Sequence, residues 1–198
     1  MGPLPRTKWA NLFIITATCL LTKFVWAKAL PAQNAEAVAR FLVFDVFLRY
    51  GILQRILSDQ GTPFHNQLTT EILKLFNVKR LSTSAYHPQT NGTCERFNAT
   101  LAAMLSKYVD KEQRTWDQAL PYLLFAFNSS SHDVTGASPY KLLFGREAVL
   151  PIDIEMPVIM EPMAADMARR LEDLHHEAAV RIEQQHNLII ARDNRVPV

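Results

Sequence analysis

The sequence predicts an α/β domain followed by a C-terminal helix. Two observations carry this: apolar segments follow in the order strand, strand, helix, strand, helix, strand, helix, helix, and a Pro-punctuated stretch then separates them from a late helical stripe. Composition agrees, since 198 residues with 48% apolar and 20% charged side chains belong to a folded chain, not a disordered or fibrous one. At this length a chain buries about 70% of its extended surface and needs no disulfide scaffold. Two cysteines, Cys19 and Cys94, exclude a Cys-rich zinc module and a disulfide-dense secreted fold.

The elements follow in order. Residues 11–20 are apolar and rich in β-branched side chains, which suits a buried strand. The same run, preceded by Arg6 and Lys8 and followed by Ala27 and Ala29, also has the outline of a secretory signal. Ten apolar residues are too few for a membrane span, but on these residues alone strand and signal both stay open. Thr22-Lys23 turns into a second strand from Phe24 to Leu30. Asn34 is an N-cap for a helix striped by Ala35, Val38, Leu42, Val46 and Phe47, which Gly51 ends. Leu53 to Ser58 is a short strand, Asn66 to Asn77 a helix, and Val78 to Ser82 a strand. Pro88 and Gly92 mark residues 83–92 as a loop. A helix follows from near Asn91-Gly92, with apolar positions at Phe97, Leu101, Met104, Leu105 and Tyr108, and further helices cover about Thr115 to Phe127 and Pro139 to Phe144. Residues 163–192 form an amphipathic helix with Met167, Leu171, Leu174, Ala178 and Ile182 along one side, expected to pack little on residues 1–150. His175, His176 and His186 on it lack paired cysteines and read as solvent-facing, not as metal ligands.

The net charge of +2 is uninformative, but its distribution is not. Residues 1–110 hold 12 basic and 6 acidic side chains, whereas residues 111–198 hold 9 and 13. A basic front half suits a polyanion; chance clustering on a solvated surface remains the alternative.

Two carboxylates stand out. Asp59 ends a buried strand, where ligand and catalytic groups of open α/β sheets gather; a turn-forming Asp is the plainer reading. Glu95 lies in the first turn of the helix that begins near Asn91-Gly92. At about 100° per residue it projects roughly 130° away from the stripe of Phe97 and Leu101, among the small uncharged Asn98, Ala99 and Ala102. A first-turn Glu also answers the helix dipole, although that does not explain the clear face around it. Thirty-five residues separate the two acids. Carboxylates from a strand end and a nearby helix can hold a pair of hard cations about 4 Å apart, the arrangement of metal-assisted phosphoryl transfer.

The motifs extend well beyond these acids: Gly2-Pro3-Leu4-Pro5, Thr22-Lys23-Phe24, Ser58-Asp59-Gln60-Gly61-Thr62-Pro63-Phe64, Tyr86-His87-Pro88-Gln89-Thr90-Asn91-Gly92, Glu95-Arg96-Phe97-Asn98, Trp116-Asp117, Leu120-Pro121-Tyr122, Ala126-Phe127-Asn128, Ser138-Pro139-Tyr140, Leu143-Phe144-Gly145-Arg146 and Leu150-Pro151. In this order they closely resemble the integrase catalytic core of gypsy-type long-terminal-repeat retrotransposons, within the retroviral integrase superfamily, over about residues 2–152. The resemblance implies a ribonuclease-H-like mixed sheet flanked by helices, with the first strand largely missing. It places an integrase core at 1–152 and an extended linker with an amphipathic helix at 153–198. It also resolves residues 12–21 as the family's second strand.

For function, the resemblance implies a polynucleotidyl transferase that uses Mg²⁺ or Mn²⁺ to process element DNA ends and join them to target DNA. Asp59 and Glu95 match the second and third acids of the family's catalytic set and are the expected catalytic and metal-holding residues. His87, Gln89, Thr90, Asn91 and Asn98 are the expected DNA contacts. The partners implied are element and target DNA and further copies of the chain, with no membrane, and the implied location is the nucleus. The family's leading Asp would fall about two places ahead of Met1, and the first acidic residue here is Glu36. Cys19 stands where many relatives have an Asp. The chain as it stands is therefore expected to bind DNA weakly and with strong salt dependence, and to show little or no strand transfer. An inactive or domesticated remnant that binds DNA or a protein is the alternative function.

Overall fold

The structure, a computed structural model, describes residues 1–58, 61, 64–82, 92–109, 114–150 and 167–193. It divides into two compact units, one made of Met1–Thr18 with Trp26–Leu124, the other of Cys19–Val25 with Phe125–Val198.

In the first unit, β1 (Phe13–Thr18) pairs with β2 (Val25–Leu30). Just outside the pair, the Leu12 N–H donates to the Leu30 carbonyl at 2.9 Å. The β-branched run expected to be a strand is one, and both of its faces are covered. Ile15 enters a cluster with Leu30, Val38, Phe41, Leu42, Val46, Phe47, Leu73 and Val78, and Phe13 and Ala17 pack beside it. On the alternate positions, Thr16 and Thr18 turn toward a later helix.

Asn34 caps α1 (Ala35–Arg40) as expected, its Oδ1 accepting the Ala37 N–H at 2.8 Å. The helix does not stay α-helical. A π-helical stretch covers Phe41–Phe47 before α2 (Leu48–Tyr50), and Gly51 ends the run at φ +94°. The wider i→i+5 turn explains how this segment buries four large side chains. It brings Phe41 over Val46 and Leu42 over Phe47, pairs that 100° per residue would splay apart.

A βαβ unit follows. β3 (Arg55–Ser58) and β4 (Lys79–Ser82) pair in parallel, with Arg55 opposite Lys79 and Ser58 opposite Ser82. Between them runs α3 (Gln67–Leu75), capped by Asn66, whose Oδ1 accepts the Thr69 N–H at 2.9 Å. Ile56 and Phe64 pack against the same cluster as β1. Among the described residues the strands form two two-stranded sheets.

Two helices complete this unit. α4 (Gly92–Tyr108) buries Phe97, Leu101 and Leu105. α5 (Trp116–Ser129) begins with the Trp-Asp pair, and both side chains reach back to the start of the chain. The Trp116 indole N–H donates to the Pro5 carbonyl at 2.7 Å, and the Asn11 amide donates to Asp117 at 2.9 Å. Gly2 lies so close to β1 that a Cβ there would meet the Leu12 carbonyl oxygen at 2.7 Å. The motifs at residues 2–5 and 116–117 are thus two halves of one joint.

In the second unit, buried Asn128 at the end of α5 holds the backbone of Val25. Its Oδ1 accepts the Val25 N–H at 2.9 Å, and its Nδ2 donates to the Val25 carbonyl at 3.0 Å. Ser138 caps α6 (Pro139–Phe144), its Oγ accepting the Lys141 N–H at 3.0 Å, and Gly145 closes that helix in the left-handed conformation.

α7 (Met167–Asp193) is helical as expected, and it docks more firmly than its modest apolar side suggests. Ala178 is fully buried and Leu171, Leu174 and Ile182 are half-buried, while Leu188, Ile189 and Ile190 stay exposed. His175 is not solvent-facing: its Nε2 meets the Leu142 carbonyl at 2.5 Å, so polar contact supplements the thin apolar strip. Arg181 donates to the Thr135 carbonyl at 3.2 Å and directs its Nη1 end-on at Gly136, where a Cβ would fall 1.5 Å from that nitrogen. Since Gly136 also has φ +71°, Gly136→Ala is expected to cost about 1–2 kcal/mol of backbone strain and to release Arg181. Urea unfolding measures the cost, and protease sensitivity within 167–193 measures the release.

Candidate active site

The first turn of α4 is built from two faces with opposite tasks. One face is fixed to β1: the Thr16 hydroxyl donates to Asn98 Oδ1 at 2.9 Å, and the Cys94 sulfur lies 3.9 Å from the Thr16 hydroxyl and 3.8 Å from that of Thr18. Phe97, Leu101 and Leu105 continue this face into the interior. The other face carries Glu95, which is exposed and makes no hydrogen bond or ion pair among the described residues. The 100° geometry read from the sequence therefore places Glu95 correctly, away from the buried stripe. Its carboxylate is held by the helix and not by a partner side chain.

Asn98 stands on the β1-facing side. Its Oδ1 is committed to Thr16, and its Nδ2 has no hydrogen-bond partner among the described residues. Asp59, next in the chain after the last residue of β3, lies outside the described residues, as do His87, Gln89, Thr90 and Asn91. The expected sharing of metal by Asp59 and Glu95 therefore falls outside them too. Among the described residues, no three His, Cys, Asp or Glu side chains are grouped to hold a metal ion. Also among them, no helix is long and apolar enough to cross a membrane.

Three structural roles escaped sequence reasoning. Thr16 and Thr18 anchor α4, and the signal was present as polar residues at alternate positions of an otherwise apolar strand. Cys94 meets both hydroxyls, yet a single cysteine in a polar turn carries no such signal. Asn128 is 5% exposed on α5, and a buried amide needs a partner.

Comparison with known proteins gives the site its context. The chain matches no family model. It is 30% identical over 183 residues to the Retrovirus-related Pol polyprotein from transposon 412 of Drosophila melanogaster, covering 92% of this chain and 14% of the relative. It is 31% identical over 150 residues to Gypsy retrotransposon integrase-like protein 1 of Rattus norvegicus, covering 76% of this chain and 29% of the relative. The human protein of that name is 30% identical over 151 residues, with 76% and 28% covered. The chain thus spans less than a third of each of these relatives. In three dimensions it is similar to the catalytic core domain of BIV integrase, with a TM-score of 0.56, 24% identity, and 67% of this chain and 85% of that one covered.

The fold is accordingly that of a retroviral integrase catalytic core, a ribonuclease-H-like mixed α/β architecture. Within it, the chain belongs to the integrase family of gypsy-type retrotransposons, as an integrase core segment.

Proposed function

We propose that this chain acts as the catalytic core of a polynucleotidyl transferase that processes retrotransposon DNA ends and joins them to target DNA, with Mg²⁺ or Mn²⁺ held by Asp59 and Glu95. The observation that carries the proposal is Glu95, an exposed carboxylate with no partner among the described residues, on a helix turn whose neighbouring residues Cys94 and Asn98 are pinned to β1. Hard cations take oxygen ligands, and an uncommitted carboxylate is a donor of that kind. Bound ions would activate the attacking oxygen and stabilise the leaving one. The chain's own part is positional: the bonds of Thr16 and Thr18 to α4 set the direction of Glu95 without occupying it.

His87, Gln89, Thr90 and Asn91 are proposed to contact DNA, joined by the uncommitted Nδ2 of Asn98. In the same reading residues 1–152 form the core and 153–198 the linker and helix, copies of the chain assemble, and the work is done in the nucleus. The test is an oligonucleotide joining assay in Mn²⁺ with three proteins: this chain, the chain extended upstream by a strand segment carrying the family's leading Asp, and the extended chain with Glu95→Gln. Joining by the extended chain that Glu95→Gln abolishes is the expected result. Equal joining by the Glu95→Gln protein would remove Glu95 from the mechanism, and a folded but inert extended chain would overturn the activity.

A further inference from the structure

At the end of the β3–β4 ladder away from Ser58 and Ser82, two cations stand side by side. Arg55 and Lys79 are register partners in the parallel pair, so their side chains leave the same face of the sheet. Both are exposed, and neither forms an ion pair or hydrogen bond through its side chain among the described residues. Their neighbours in register, Ile56 and Arg80, belong to the opposite face, where Ile56 packs on the core and Arg80 donates to the Thr70 hydroxyl at 3.3 Å. Like charges on adjacent strands repel, so this pairing costs the fold something and gains nothing from within it. The other exposed cations with close acids, Lys28, Arg49 and Lys141, are placed beside Asp45 or Glu147.

We propose that Arg55 and Lys79 form a second contact for duplex DNA, gripping backbone phosphates apart from the residues proposed for the chemistry. The proposal rests on the reading above only in choosing DNA as the polyanion. Length supports that choice. Arg55 is three residues from Ser58, about 10 Å along an extended strand, which matches about three base-pair steps of duplex. A duplex running along the ladder from the Ser58 end would carry phosphates within reach of both cations. The charge of this part of the chain agrees, because residues 1–110 hold twice as many basic as acidic side chains, 12 against 6. The competing reading is that exposed cations merely keep a sheet from pairing with other sheets.

The experiment is a fluorescence-anisotropy titration of a random-sequence duplex between 50 and 200 mM salt. It compares the unmodified chain with Arg55→Gln, Lys79→Gln, the double variant, and the charge-keeping pair Arg55→Lys with Lys79→Arg. Each lost phosphate contact lowers the salt slope by about 0.9, so the double variant should lose about 1.8. Over that salt range its affinity should then fall about 12-fold less than that of the unmodified chain. The charge-keeping pair should retain the full slope. An unchanged slope in the double variant overturns the proposal, as does aggregation of the glutamine variants with unchanged slope, which is the sheet-protection outcome. Polyglutamate binding that depends on Arg55 and Lys79 while the DNA slope does not move assigns the surface to an acidic protein and also overturns it. Glu95→Gln should leave the slope intact, so loss of joining and loss of this contact are told apart.

Discussion

In the upstream-extended chain, Glu95→Gln should lower metal-dependent joining by about 10²–10³-fold or more, the scale seen when one charge-stabilising group is removed from an active site, while barely moving stability. The two halves of this expectation have separate causes. Gln keeps the shape of Glu but replaces an anionic oxygen donor by a neutral amide, so a hard cation loses both charge and a ligand. Stability is spared because the side chain is exposed and makes no bond among the described residues. What the fold loses is the interaction of one exposed anion with the helix N-terminus, about 0.3–1 kcal/mol. Leu101→Ala makes the contrast. Leu101 is 1% exposed on the face of the same helix that packs inward, and its truncation should cost about 2–5 kcal/mol with activity falling only as the folded fraction falls. Joining rate, Mn²⁺ titration and thermal midpoint together separate the two variants. A Glu95→Gln protein that unfolds as readily as Leu101→Ala would show that Glu95 is a structural residue.

The contrast also shows which parts of this molecule can be read from its sequence. Local chemistry was legible. Asn34 and Asn66 cap their helices because an Asx side chain satisfies the N–H two or three residues ahead wherever the helix starts. Ser138-Pro139 and Gly145 bracket α6 on its predicted residues for the same kind of reason. The outward aim of Glu95 followed from helix geometry alone. Features set by distant contacts were not legible. The π-helical stretch at Phe41–Phe47 lets two pairs of large side chains reach one core, whereas the α-helical stripe visible in the sequence runs through Val38, Leu42, Val46 and Phe47 and leaves Phe41 out. His175 seemed free for want of a metal partner, whereas a carbonyl 33 residues away takes its ring nitrogen. Arg55 and Lys79 are unremarkable as separate residues and meet only when the parallel register is known.

Asn128→Ala is expected to destabilise the chain by about 2–4 kcal/mol, more than most substitutions of a polar residue. The amide is 5% exposed and satisfies both the N–H and the carbonyl of Val25. Removing it strands two buried backbone groups, each at about 1–3 kcal/mol. Asn128→Asp separates this account from simple loss of packing, because the volume is kept and the donor is lost. The new carboxylate would still accept the Val25 N–H but would face the Val25 carbonyl, oxygen against oxygen, in a buried site. Both burial and that repulsion disfavour its charged form, so its folded-state pKa should lie above the unfolded value of about 3.9. A group raised in the folded state contributes stability that is present below the unfolded pKa and is lost as pH rises through the folded one. Protonated, the new carboxyl can donate to the Val25 carbonyl and restore the missing bond. The deficit of Asn128→Asp relative to the unmodified chain should therefore shrink toward pH 3 and be largest near neutrality, while that of Asn128→Ala stays flat. Urea midpoints measured from pH 3 to 7 on all three proteins test this. A deficit of Asn128→Asp that does not change with pH would mean that the two hydrogen bonds to Val25 are not what makes Asn128 necessary.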